Sequence, residues 1–275
     1  MGLTAAAERF VAERVVNLKV TEPLGFAPSP LEPISEPIEL RDLGLTFQSG
    51  VARTSRANQI QEAFGIRPDH FQSLVVKGLS VSLSPGSTTL VFGPSGSGKT
   101  TLLNFIAGLP SEHLCEEGAL SLPANARIGR FEDLPGDRPL IEVLGEGTGI
   151  TSALYALNVA GLSDAKLYLR RFGELSNGQR YRAMLAALID SDSNVWVADE
   201  FLSTLDDLTA ASVASNIVEH VRARNVTLIV GAPHFDAFLD VLQPDLVVRL
   251  VSPWEHEVLP GQEFRRRWHH RPVTE

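Results

Sequence analysis

Gly93-Pro94-Ser95-Gly96-Ser97-Gly98-Lys99-Thr100-Thr101 follows directly on the apolar run Thr89-Leu90-Val91-Phe92. The spacing G-x-x-x-x-G-K-[ST] between a buried strand and a helix-forming run, here Leu102 to Ala107, is that of a phosphate-binding loop. Glycines let the backbone wrap a phosphate chain without Cβ clashes. The amide N–H groups of such a loop, with a helix N-terminus behind them, form an anion cradle. Lys99 is placed to reach the β- and γ-phosphates of a nucleotide, and the Thr100 hydroxyl to hold Mg²⁺. A strand, this loop and a helix commit the chain to a layered α/β architecture.

Downstream, Val195-Trp196-Val197-Ala198 ends in Asp199-Glu200. The apolar run reads as a buried parallel strand, and the two carboxylates fall at its C-terminal end, where open α/β sheets bind ligands. Asp199 is expected to hold Mg²⁺ through water. Glu200 is expected to orient or deprotonate an attacking water. Further upstream, Glu174-Leu175-Ser176-Asn177-Gly178-Gln179 precedes the helical run Arg180 to Ile189. Ser176 has the chemistry of an N-cap, and Gly178 leaves the backbone open to close approach.

In this order the segments resemble the motifs of ATP-binding-cassette (ABC) ATPases. Glu174 to Gln179 is similar to their LSGGQ signature, with Asn177 in place of a glycine. Ser203-Thr204-Leu205-Asp206 is similar to their D-loop, and His234, after the apolar run Val226 to Val230, to their switch histidine. Phe71, upstream of the loop, is the expected aromatic for stacking on adenine. Arg171 to Arg182 and Val197 to Asp206 look like the soluble ABC ATPases often fused to a predicted GNAT acetyltransferase, although no acetyltransferase module is present here. The resemblance covers roughly residues 71–250. It implies a P-loop NTPase fold of ABC type: a mostly parallel sheet flanked by helices, an antiparallel β layer and a reduced helical subdomain. It also implies ATP and Mg²⁺ as cofactors and head-to-tail homodimerisation. Gly93 to Thr101, Ser176, Asn177, Gly178, Gln179 and Asp206 are the expected nucleotide-binding residues; Gly96, Gly98, Lys99, Thr100, Asp199 and Glu200 of one chain would then face Ser176, Asn177 and Gly178 of the other, with Asp206 coupling the two sites. Glu200, His234 and Lys99 are the expected catalytic residues; Thr100, Asp199 and Glu132 are the expected metal ligands.

Two departures from transporter cassettes bear on the role. The segment Arg130-Phe131-Glu132-Asp133-Leu134-Pro135-Gly136-Asp137 contains no glutamine where such cassettes carry one, and Glu132 or Asp133 takes its approximate place. The stretch from Lys99 to Ser176 is also compact. These points favour an ATP-driven switch acting on an unidentified partner. The alternatives are the ATP-binding subunit of a transporter with separate membrane subunits and a non-hydrolysing scaffold. The set Lys99, Asp199, Glu200 and His234 argues against the scaffold, and the lack of a long heptad-bearing insertion against a DNA-repair ATPase of the SMC or Rad50 type.

With 275 residues, 44% of them hydrophobic, the chain can bury one large core. No apolar run reaches bilayer-spanning length, so no direct membrane insertion is expected. The single cysteine, Cys115, cannot form an internal disulfide, which fits a reducing cytoplasm. A net charge of −9 disfavours broad binding to nucleic acid. The exception is Arg265-Arg266-Arg267-Trp268-His269-His270-Arg271, a basic stretch whose Trp268 could stack on a single strand.

Three segments are expected. Residues 1–40 form an amphipathic helix over 1–20, with Phe10, Val11, Val15 and Leu18 on one face, and a proline-rich linker. Residues 41–252 form the cassette, with a variable helical subdomain over 110–175. Residues 253–275 form a basic tail. Within the cassette the patterns predict strands over 39–47, 71–83, 194–198, 226–230 and 245–250, and helices over 53–64, 102–109, 149–159, 179–189, 207–223 and 235–241.

Overall fold

The structure, a computed structural model, describes residues 28–48, 54–66, 72–109 and 114–270. The helix expected over 1–20 and the adenine-stacking candidate Phe71 lie outside the described residues.

In chain order the elements are β1 (Ile38–Gln48), α1 (Ser55–Phe64), β2 (Gln72–Leu83), β3 (Thr88–Phe92), α2 (Lys99–Ile106), β4 (Leu114–Ser121), β5 (Ile128–Arg130), α3 (Leu140–Val143) and α4 (Ile150–Val159). They continue as α5 (Ala165–Tyr168), α6 (Asn177–Asp190), β6 (Val195–Ala198), α7 (Asp207–Arg224), β7 (Thr227–Gly231), α8 (Leu239–Leu242), β8 (Leu246–Ser252), β9 (Glu255–Pro260) and α9 (Gly261–His269). The described strands form a six-stranded sheet, in the order β5-β6-β7-β3-β8-β9, and a three-stranded antiparallel sheet, β2-β1-β4. In the larger sheet every pairing is parallel except β8 with β9.

Burial on both faces accounts for the parallel strands. Thr88–Phe92, Val195–Ala198 and Thr227–Gly231 are buried at every position. Such strands read as unbroken apolar runs because helices cover one face and a second layer the other. One core cluster joins this sheet to α4, α6, α7 and α9. The other lies between it, α2 and the antiparallel layer, and includes Leu40, Leu45, Val76, Leu83, Leu102, Leu103 and Ile229. The antiparallel layer is irregular in the middle. Asp42 takes a left-handed φ of 49°, its N–H donates to Ser80 Oγ at 2.9 Å, and the register shifts there. Gly118 fits beside this bulge because a Cβ would stand 2.4 Å from Asp42 O.

Local chemistry sets the helix ends. α1 begins at Thr54, whose Oγ1 accepts from Ala57 N, and stops at Gly65 with φ 61°. α6 opens with a reciprocal capping box: Gln179 N donates to Ser176 Oγ at 3.4 Å and Ser176 N to Gln179 Oε1 at 3.1 Å. Asp206 caps α7 by accepting from Thr209 N and Thr209 Oγ1, and these bonds hold its carboxyl below the usual range.

The structure departs from the sequence reading in four places. Residues 31–37, expected as linker, lie on the body: Ile34 is buried, Leu31 N donates to Arg224 O, and Asn194 Nδ2 donates to Glu32 O. A polar side chain that reads as loop-like, Asn125, pins this stretch through Ser35 N and Pro33 O. The range 110–175 contains β4 and β5, which join the two sheets, before the helices begin at Leu140. The helix expected over 235–241 contracts to α8, with a loop before it. Residues 255–269 are not a solvated tail. β9 pairs along β8, and α9 packs Phe264 and Trp268 onto Phe92 and Phe235 with ring centroids 4.8 to 5.9 Å apart.

Candidate functional site

Parallel pairing puts the C-terminal ends of β3, β5, β6 and β7 along one edge. Four segments singled out by sequence leave from that edge: Gly93–Thr101, Glu132–Asp133, Asp199–Glu200 and His234.

The phosphate loop is shaped by its backbone. At Gly93 a Cβ would stand 2.0 Å from Leu250 O, so the strand end is pressed against β8. Gly96 and Gly98 take left-handed φ values of 78° and 91°, and Gly98 is the N-cap of α2. Lys99 folds its ammonium back onto the loop, donating to Gly93 O at 2.8 Å and to Pro94 O at 2.9 Å. Ser97 is 6% exposed, and its hydroxyl oxygen is buried without a hydrogen-bond partner in the protein. A glycine-built cradle, a helix N-terminus, one cation and an unsatisfied buried hydroxyl suit a polyanion such as a nucleotide triphosphate.

A groove of about 390 Å³ runs from this loop toward the antiparallel layer, lined by Gly96, Gly98, Lys99, Thr100, Thr101, Val75 and Phe47. Phe47, at the end of β1, is the aromatic of this wall, and the sequence reading missed it. The signal was present, because the strand over 39–47 ends on it. The expected aromatic, Phe71, falls in the chain between α1 and β2 and lies outside the described residues.

The carboxylates line a second cleft, of about 480 Å³, with Asp133, Asp199, Glu200, Asn177, Arg180, Tyr181, Ser203 and Thr204 among its walls. Asp133, not Glu132, lines this cleft with Asp199 and Glu200. Glu132 forms an ion pair with Arg130 at 2.7 Å. Strand alternation does not reach past β5, which is why the sequence could not choose between the two.

Asp199 Oδ1 accepts from Glu200 N at 2.9 Å. Gly231 on β7 makes room for that carboxylate, because a Cβ there would stand 2.8 Å from Asp199 Oδ1. Glu200 and Leu202 are non-glycine residues with left-handed φ values of 48° and 58°. Such conformations cost on the order of 1–3 kcal/mol each and persist only when their surroundings fix them. Phe201 N donates to Gly231 O at 2.7 Å, Leu202 N to Tyr181 Oη at 2.8 Å and Ser203 N to Glu200 O at 3.0 Å.

His234 is exposed in the loop after β7, between buried Ala232 and buried Phe235. Ser176 and Asn177 are exposed at the N-terminus of α6. Among the described residues, neither Ser176 nor Gly178 lines the Lys99 groove of its own chain. Trp268, the expected stacking residue of the basic stretch, is packed on the aromatic cluster and donates its Nε1–H to Asp236 Oδ1 at 2.8 Å. Its ring belongs to the fold, which removes the base-stacking half of that expectation.

A parallel sheet with a glycine-built phosphate loop after β3 and carboxylates after β6, with β7 between the two strands, defines a P-loop nucleotide-binding protein. The comparisons with known proteins narrow the class. The family described as ABC transporter matches residues 76–203. The chain is 32% identical over 177 residues to the cytochrome c biogenesis ATP-binding export protein CcmA of Brucella abortus (strain 2308), covering 59% of this chain and 79% of that protein. It is 30% identical over 184 residues to the lipoprotein-releasing system ATP-binding protein LolD 1 of Rhodopirellula baltica, covering 58% and 79%. Among solved structures, the dimeric bacterial ABC transporter cassette MJ0796 shares the fold with a TM-score of 0.64 and 18% identity, over 82% of this chain and 98% of that one. The chain belongs to the ATP-binding-cassette family and is an ATP hydrolase of the ABC type. Among the described residues, no helix is long and apolar enough to cross a membrane.

Proposed function

We propose that two copies of this chain close head to tail over two ATP molecules, and that binding and hydrolysis close and reopen the pair. The observation carrying this reading is the separation, within one chain, of the Lys99 groove from the exposed N-terminus of α6. A second copy, turned about, brings its Ser176, Asn177, Gly178 and Gln179 to that groove. Ser176 Oγ accepts from Gln179 N, which leaves its own proton to donate to a γ-phosphate oxygen. The helix N-terminus behind it adds favourable charge. The dimeric form of the MJ0796 cassette supports the arrangement.

In this reading Gly93 to Thr101 wrap the phosphates and Phe47 stacks on the base. Lys99 exchanges its loop carbonyls for β- and γ-phosphate oxygens. Thr100, Asp199 and Asp133 would hold Mg²⁺, which would offset charge on the phosphates; a hydroxyl, carboxylates, waters and substrate oxygens suit this ion. Glu200 takes a proton from water as its oxygen attacks the γ-phosphorus, and the bridging oxygen leaves with ADP. His234 orients the water and the γ-phosphate, and Asp206, at the start of α7, links the two sites. The segments 171–182 and 197–206 support placing the chain beside the soluble ABC ATPases often fused to GNAT acetyltransferases.

A second reading is favoured by the names of the relatives, an export protein and a releasing-system subunit: the pair would act on separate membrane subunits through the cleft beside Phe131 and Asp133. One experiment separates the two. Glu200→Gln should lower kcat by about 10²- to 10⁴-fold, the ordinary contribution of a general base, while ATP binding is retained. Light scattering of that variant in detergent-free buffer should show dimers with Mg-ATP and monomers without. Unchanged turnover would remove Glu200 as the base. A chain that binds ATP and stays monomeric would favour the membrane-subunit reading.

A further inference from the structure

The turn carrying Glu200 is strained, and its backbone donors show what holds it. Glu200 N is taken by Asp199 Oδ1, Phe201 N by Gly231 O, Ser203 N by Glu200 O and Leu205 N by Leu202 O. The remaining bond, from Leu202 N to Tyr181 Oη at 2.8 Å, reaches a side chain on another element. Tyr181 is 5% exposed and sits two residues after Gln179 on α6. Its ring also meets Phe131 edge-on, with centroids 5.0 Å apart and planes at 63°. One side chain therefore touches the signature helix, the segment leading to Asp133, and the residue two beyond Glu200.

We propose that Tyr181 is a positioning residue for Glu200, clamping the base-bearing turn to the helix that presents the signature to the partner's ATP. The inference rests on the role of Glu200 proposed above. A shift of α6 as its N-terminus engages ATP is passed through one hydrogen bond to the turn from which Glu200 projects. The phenol is suited to this as a neutral group. Burial pushes its pKa up, the Leu202 N–H bond opposes this and the nearby Glu200 charge adds to the push, so the phenol keeps its proton while its oxygen accepts from Leu202 N.

Tyr181→Phe keeps the ring against Phe131 and removes only the acceptor. The expected result is a fall in kcat on the order of 10- to 100-fold, the scale of a misplaced catalytic group, with ATP affinity unchanged. A purely structural role would give the same fold-loss with or without the base. Repeating the substitution in Glu200→Gln separates the two, because residues acting as one unit are not additive: Tyr181→Phe should cost nothing further there. Should Tyr181→Phe fold poorly, a ring-fluorinated tyrosine at 181 keeps ring and hydroxyl but weakens the acceptor, and should lower kcat in the same direction. An undiminished kcat in the phenylalanine variant, or an equal loss in the Glu200→Gln background, overturns the proposal. A wild-type chain without Glu200-dependent turnover would instead sink the reading on which it rests.

Discussion

Phe92 and Gly93 are neighbours in the chain and begin two differently built regions. From Gly93 onward the phosphate loop is shaped by its backbone: left-handed glycines, a carbonyl pressed against the strand end, and a lysine folded onto the loop. Phe92 turns the other way, into a cluster with Phe235, Phe264 and Trp268 that seats α9. The first region needs particular residues at particular spacings because main-chain atoms do its work. The second needs only large rings that fill a space, and many arrangements of such residues would satisfy it. A binding loop therefore announces itself locally, whereas a docked helix does not.

The comparison predicts different failures. Gly93→Ala places a methyl 2.0 Å from Leu250 O, a backbone atom that cannot move without moving β8. ATP affinity should fall on the order of 100-fold, equivalent to about 3 kcal/mol of overpacking at the loop. Titration with a fluorescent ATP analogue reads this directly, and undiminished affinity would mean that the loop is not set by its backbone. Phe264→Ala should act the other way round. It opens a cavity against Phe92 and Phe235 and should cost about 3–5 kcal/mol of stability, measured by denaturant unfolding, with ATP affinity of the folded chain retained. If affinity falls in step with stability, the two regions are not separable and the cluster belongs to the site.

The same distinction explains what was legible. The fold class, the phosphate loop, Asp199-Glu200 and the capping role of Ser176 could be read because strand, turn and cap chemistry lie within a few residues. Phe47 was hidden because a long stretch of chain separates β1 from β2, and only the pairing of these strands brings it to the loop. Asp133 was hidden because the direction of a side chain just past a three-residue strand depends on its neighbours, here Arg130 drawing Glu132 away. Tyr181 lies inside the helical run expected from Arg180 to Ile189, and nothing local marks it, since its partner is a backbone amide on a distant turn. The basic run that begins at Arg265 could not be placed from sequence for a related reason. Sequence counts its arginines but does not show that Glu257 on β9 and Glu263 on α9 pair with Arg267.

Those carboxylates give the smallest predicted effect. Arg267 donates to Glu257 Oε1 at 3.0 Å and also pairs with Glu263 one turn back on α9, while its side chain remains 58% exposed. At that exposure water and salt screen the pairs, and each contributes no more than about 0–1 kcal/mol. Arg267→Ala should accordingly shift the unfolding midpoint only slightly, far less than Phe264→Ala on the same helix. Anisotropy with a labelled single-stranded oligonucleotide provides the sharper check. With Trp268 held by the aromatic cluster and Arg267 held by Glu257 and Glu263, wild type and variant should give the same curve at physiological salt. A clear loss of binding in Arg267→Ala would show that α9 releases these partners to meet phosphate, and that rings and ion pairs hold the C-terminal region less firmly than backbone contacts hold the loop.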